Sequence, residues 1–129
     1  SFKAEILDEQ HDLVADTIKI ALFTSSASLG ASTTAYSTSN EISGSGYSAG
    51  GVALTSKAVS TTGTTAHFDA DDPTWTSASF TARGALIYNN SNSDKAIAVL
   101  DFGGDFTVAS GTFRIVFPAA GANAIIRID

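Results

Sequence analysis

Thr17-Ile18-Lys19-Ile20-Ala21-Leu22-Phe23 reads with a period of two: Ile18, Ile20 and Leu22 point one way, Lys19, Ala21 and Phe23 the other. That alternation is the pattern of a β-strand, because successive side chains on an extended backbone leave on opposite faces. Before it, residues 1–16 have helical character. Phe2, Ile6 and Leu13 can share one face while Glu5, Asp8, Glu9 and Asp12 surround it, which predicts a short N-terminal helix or arm. After it, residues 24–40 are mostly Ser, Thr and Ala, whose short side chains bond locally and offer a core little apolar area. An ordered surface loop is expected there. Residues 41–51 place Gly44, Gly46, Gly50 and Gly51 around Tyr47, a density of glycine that marks turns or bulges with at most a short edge strand.

Beyond that loop the period of two returns. Strands are expected at 52–59 and 65–70, joined as a hairpin through Thr-Thr-Gly-Thr, then at 78–88 and 96–102 with a turn at 89–94 between them. The 96–102 segment is apolar on both faces, as a strand in the centre of a sandwich would be. Gly103-Gly104-Asp105 reads as a hairpin turn, Phe113, Ile115 and Phe117 alternate along a further strand stopped by Pro118, and 124–128 closes the chain as a last strand. About eight short strands with almost no helix predict an all-β fold. We expect a two-sheet antiparallel sandwich in one domain over residues 1–129, a jelly roll in preference to an immunoglobulin-like sandwich. Phe80, Leu86, Leu100, Phe113 and Phe117 are the expected core.

Composition agrees with such a domain and narrows its partners. The chain has 129 residues, 43% of them hydrophobic and 16% charged, enough apolar material for one core. Its net charge of -6 repels phosphates and anionic lipid, so neither nucleic acid nor a membrane is expected as a partner. Without cysteine it can form no disulfide and offers no thiolate for zinc or catalysis. Apolar runs such as 96–100 fall far short of a membrane span, and no basic stretch followed by an apolar one suggests a secretion signal.

Candidate chemistry is sparse, and no catalytic, cofactor-binding or metal-binding residue is assigned. His11 sits in the acidic arm and His67 alternates with Phe68 on a strand, so both read as packed or surface side chains. The serines lack a Gly-x-Ser-x-Gly turn. Asp69, Asp71 and Asp72 could hold a hard cation, but the glycine and distal glutamate of a calcium loop are missing, and a turn capping the strand that ends at Ala70 is the preferred reading. Asp101-Phe102-Gly103 matches a kinase triplet by chance, since no phosphate-covering loop precedes it. Asn89-Asn90-Ser91 fits a glycosylation sequon but reads as a polar turn. Trp75 and Tyr88 could stack on a sugar ring; Trp75 as a plug at one end of the sandwich is the preferred reading.

Several stretches resemble small virion proteins of tailed bacteriophages. They are Asp-Thr-Ile-Lys-Ile-Ala-Leu-Phe-Thr-Ser at 16–25, Ser-Gly-Ser-Gly-Tyr-Ser-Ala-Gly-Gly at 43–51, Phe-Thr-Ala-Arg-Gly-Ala-Leu-Ile-Tyr-Asn at 80–89, Ala-Val-Leu-Asp-Phe-Gly-Gly-Asp at 98–105 and the closing Ala-Ile-Ile-Arg-Ile. The resemblance spans nearly the whole chain and implies a non-enzymatic structural protein of a virion, with no functional residues to carry over. A capsid decoration or cement protein on the outer capsid surface is the first expectation; a tail, collar or fibre component that contacts a receptor glycan is the alternative. The expected partners are the major capsid protein or another virion protein and further copies of the chain, as a closed homo-oligomer with a trimer first. No cofactor is expected.

Overall fold

In the computed structural model, which describes residues 1–121 and 123–128, the period-two stretch forms β1 (Ile18–Phe23), with every residue but Lys19 buried. Its neighbours are β2 (Val52–Ala53) on one side and β5 (Thr74–Asn89) on the other; β6 (Lys95–Arg114) pairs with β5 and ends the sheet. A second sheet has the order β3-β4-β7, with β3 (Ala58–Thr62), β4 (Thr65–Asp69) and β7 (Ile126–Ile128). All pairings are antiparallel. The protein is an all-β sandwich with one short helix, α1 (Phe2–Leu7), at its start. A jelly roll is built from eight strands; the described residues form seven, divided four and three.

Period two explains which side of β1 meets which core. Ile18, Ile20 and Leu22 join Phe68, Trp75, Phe80, Ile87 and Phe117 in the main core, which Phe68 of β4 links to the second sheet. Ala21 and Phe23 face the other way and form a smaller core with Leu86, Tyr88 and Ala96. That smaller core is roofed by the Ser/Thr-rich segment through Leu29 and Tyr36, so the polar loop does contribute apolar cover. Each fully buried large aliphatic or aromatic side chain is worth roughly 1.5–3 kcal/mol. β1 is covered on both faces, as is the 84–89 stretch of β5 beside it, and the two strands together join the cores.

Several expected boundaries move. The 52–59 strand is two strands in different sheets: β2 pairs with β1, the backbone turns at Ser56 with φ +52°, and β3 pairs with β4. The hairpin over Thr-Thr-Gly-Thr forms as expected, with Gly63 at φ +60°. The 78–88 and 96–102 segments extend into one long hairpin of 16 and 20 residues, which takes in only Phe113 and Arg114 of the expected 113–117 strand; Ile115 to Phe117 lie past its end. Gly103-Gly104-Asp105 is consequently no turn. It lies in a bulge, where residues 101–106 of β6 oppose only 82–84 of β5, and Gly103 takes φ +78°. Nor is 96–102 central: β6 is an edge strand, apolar on both faces because each core lies against one of them. Among the expected core residues, Phe80, Leu86 and Phe117 are buried, while Leu100 and Phe113 are half-buried against the main core.

Candidate interaction site

The arm folds back on its own sandwich. Phe2 and Leu13 pack on the main core, and His11 is buried with its ring centroid 5.1 Å from that of Phe2. The hydrogen bonds around His11 assign its tautomer. Asn89 is fully buried; its Oδ1 accepts the Ser91 N–H at 3.0 Å, which turns its Nδ2 to Asp16 Oδ2 at 2.7 Å and to His11 Nδ1 at 3.1 Å. Nδ1 must then accept, and the ring's N–H is on Nε2, facing Glu5 Oε1 at 3.5 Å. Lys95 Nζ holds the other Glu5 oxygen at 3.3 Å. Burial raises the Glu5 pKa, but the bonds from His11 and Lys95 outweigh it and hold the carboxyl below the usual range. The Asn89 amide does the same for Asp16, helped by the Asp12 N–H. This cluster fastens arm to sheet, and it leaves Asn89 unable to serve as a glycan acceptor.

His67 is also buried, with Thr62 Oγ1 3.1 Å from Nε2 and Ser60 Oγ 3.4 Å from Nδ1. His11 and His67 line the same groove, yet no group of three metal-ligating side chains occurs among the described residues. Two of the aspartates at 69–72 have structural duties, whereas Asp69 Oδ1 is buried with no hydrogen-bond partner. Asp72 Oδ1 accepts the Phe117 N–H at 2.9 Å and Asp72 Oδ2 pairs with Arg114 at 2.7 Å, the two bonds that hold its carboxyl below the usual range. Asp71 donates its N–H to Thr55 O. Trp75 is buried between Tyr47 and Phe113, at centroid distances of 6.3 and 5.9 Å, and Tyr88 is buried in a 4.5 Å stack with Tyr36. Neither ring presents a face to a sugar. Asp101 sits at the β6 bulge, accepting the Gly103 N–H and then the Arg83 guanidinium, which together hold its pKa down.

One polar cluster leaves almost no trace in the sequence. Glu41 Oε1 accepts from Tyr36 Oη at 2.7 Å, and Oε2 accepts from Tyr47 Oη at 2.5 Å and the Gly50 N–H at 2.8 Å. Tyr47 Oη in turn accepts the Leu22 N–H at 3.0 Å, and Tyr88 Oη donates to Gly50 O at 2.7 Å. A single carboxylate thus ties the 24–51 segment to β1 and β5. The only signal in the sequence is an acid between two tyrosines in a stretch otherwise made of small residues. Burial, then bonding to the Glu41 carboxylate, raises the Tyr36 and Tyr47 pKa values; Tyr88 is pushed up to about 12 by burial and then by the charges of Asp94 and Glu41. A raised folded-state pKa contributes stability that is whole below the free phenol value of about 10 and is lost as pH climbs through the folded-state values. The melting temperature should therefore fall steeply above about pH 10, in step with delayed tyrosinate absorbance. Tyrosinate appearing at the free-phenol pH without loss of stability would contradict this.

What faces outward is apolar at two places. A groove of about 550 Å3 runs between the arm and the second sheet, and it is lined by three of the six large hydrophobic side chains that stand exposed among the described residues: Val14, Val59 and Ile128. The other place is a shallower hollow of about 300 Å3 on the β6 hairpin, where Phe106 and Val116 stand exposed beside Phe102 and Phe113. Clustered exposed apolar residues mark association surfaces, whereas scattered ones are ordinary. No family model matches the chain, no curated protein matches it, and no solved structure does.

Proposed function

We propose that the chain is a non-enzymatic structural subunit of a tailed-phage virion, a decoration or cement protein seated on the outer surface of the capsid. The observation that carries the reading is the division of labour among its side chains. Both histidines, Asp72 and Glu41 are engaged in internal hydrogen bonds, while exposed apolar side chains gather in two hollows. Such a surface suits protein association, and a net charge of -6 suits a position away from packaged DNA. The stretches that resemble phage virion proteins include β1, the glycine-rich loop and half of the strand residues of the β5–β6 hairpin.

A subunit that binds the assembled shell but not free capsid protein shifts the balance toward the intact particle by mass action. Particles lacking it should assemble, then release DNA at lower temperature or under milder osmotic shock. Gold-labelled antibody on purified virions locates it: label over the head supports the reading. Label confined to tail tip or collar, with a bare head, replaces it with the tail alternative. The oligomer proposed for the free protein is closed and homomeric, a trimer first, which light scattering measures directly.

A further inference from the structure

The second sheet has one apolar face, and its own chain leaves part of that face open. The register sets Val59, Phe68 and Ile126 abreast on one rung and Ala66 and Ile128 abreast two residues along, all on the same side. Phe68 is buried in the main core and Ile126 packs against it, but Val59 and Ile128 remain 55% and 58% exposed. The facing wall is the arm, which contributes Leu13 and Val14, the latter 48% exposed. The arm therefore covers one end of the sheet and stops short of the other.

Charge states what belongs in the opening. Glu9 and Asp12 stand on the arm's wall, next to Asp8, with Arg127 across from them, so the arm side is acidic. A second copy would bring a net charge of -6 of its own to an acidic wall, which disfavours self-association there. We propose that this groove docks an extended apolar segment of a partner protein that carries lysine or arginine. Alternate apolar side chains enter over Val59 and Ile128, and the basic ones reach Glu9 and Asp12. The identity of the partner as a capsid subunit rests on the virion reading; the chemistry of the groove does not.

The test is a methyl NMR titration of the whole chain with a short synthetic peptide of alternating valine and lysine, beside a matched valine–glutamate peptide. The lysine peptide should shift the Val14, Val59 and Ile128 methyls, more weakly as salt rises, and the glutamate peptide should not. Val59→Lys, which removes the apolar contact and opposes the acidic wall, should weaken the lysine peptide at least about tenfold with the melting temperature kept. Val14→Lys, on the arm instead of the sheet, repeats the measurement should the first variant fail to fold. Equal binding of both peptides, shifts centred on the Ile115 and Val116 methyls of the β6 hollow, or groove methyls that shift with protein concentration alone would overturn the proposal, the last by placing a second copy in the groove. No phage particle enters the titration, so its failure is separate from a failure of the virion reading, which the gold label decides.

Discussion

Gly51→Ala is expected to leave little folded protein. Gly51 precedes β2 with φ +75°, a conformation that costs an alanine strain at once. Space is the larger problem, because a Cβ there would lie 1.8 Å from Ile20 O and 2.8 Å from Ala21 Cα, both backbone atoms of the most buried strand. The side chain has nothing flexible to push aside, so β2 must leave β1, taking with it the Ile20–Val52 pairing and the burial of Leu54. A loss above about 4 kcal/mol is of the class that unfolds marginal domains. Gly30→Ala is the control: nothing lies within 4 Å of where its methyl group would sit, and it should stay within about 0.5 kcal/mol of the parent. Circular dichroism melts of both decide it, and a Gly51→Ala protein that melts with the parent would refute the close approach.

Glu41→Ala should be the next most damaging change. It strips the acceptor from Tyr36, Tyr47 and the Gly50 N–H together, and unsatisfied donors of this kind cost about 1–3 kcal/mol each where water cannot replace the partner. Partial hydration of the cluster brings the expected total to about 3 kcal/mol. Glu41→Gln separates bonding from charge. Its oxygen can still accept from Tyr47 and Gly50, and its amide can donate to a rotated Tyr36 hydroxyl, so most of the stability should survive. The tyrosines should then ionise at lower pH than in the parent, because the negative charge beside them is gone. Equal melting of Glu41→Ala and the parent, or an unchanged tyrosine titration in Glu41→Gln, would show that the cluster holds nothing.

Local pattern revealed what local pattern controls. Ile18, Ile20 and Leu22 announce β1 because burial on a pleated strand repeats every two residues, and the Thr-Thr-Gly-Thr hairpin announces itself through Gly63. The turn expected at Asp69 to Asp72 does not form: Asp71 and Asp72 bond instead to Thr55 and Phe117, far away in the chain. Apolarity on both faces did not reveal position in the sheet. Residues 96–102 look central, yet their second face is covered by Leu29 and Tyr36 from a segment with few apolar residues. Gly103-Gly104 looks like a turn because glycine serves turns and bulges alike; only the pairing of 82–84 with 101–106 distinguishes them. The Glu41 cluster and the open groove were harder still, since each joins residues far apart in the chain: Tyr88 with Gly50, Val59 with Val14 and Ile128.

The bulge in β6 also bears on crowding. A strand of 20 residues at the margin of a sheet is an open template for another chain, and copies of any protein meet one another during synthesis. An uninterrupted margin would invite copies to zip into ladders and fibrils. Here the margin is broken at 101–106 and again beside Ser110, where φ is +50°, and exposed Asp101 and Asp105 set negative charge along it. Irregularity in that strand denies a second copy a continuous run of open backbone donors and acceptors, which works against precipitation.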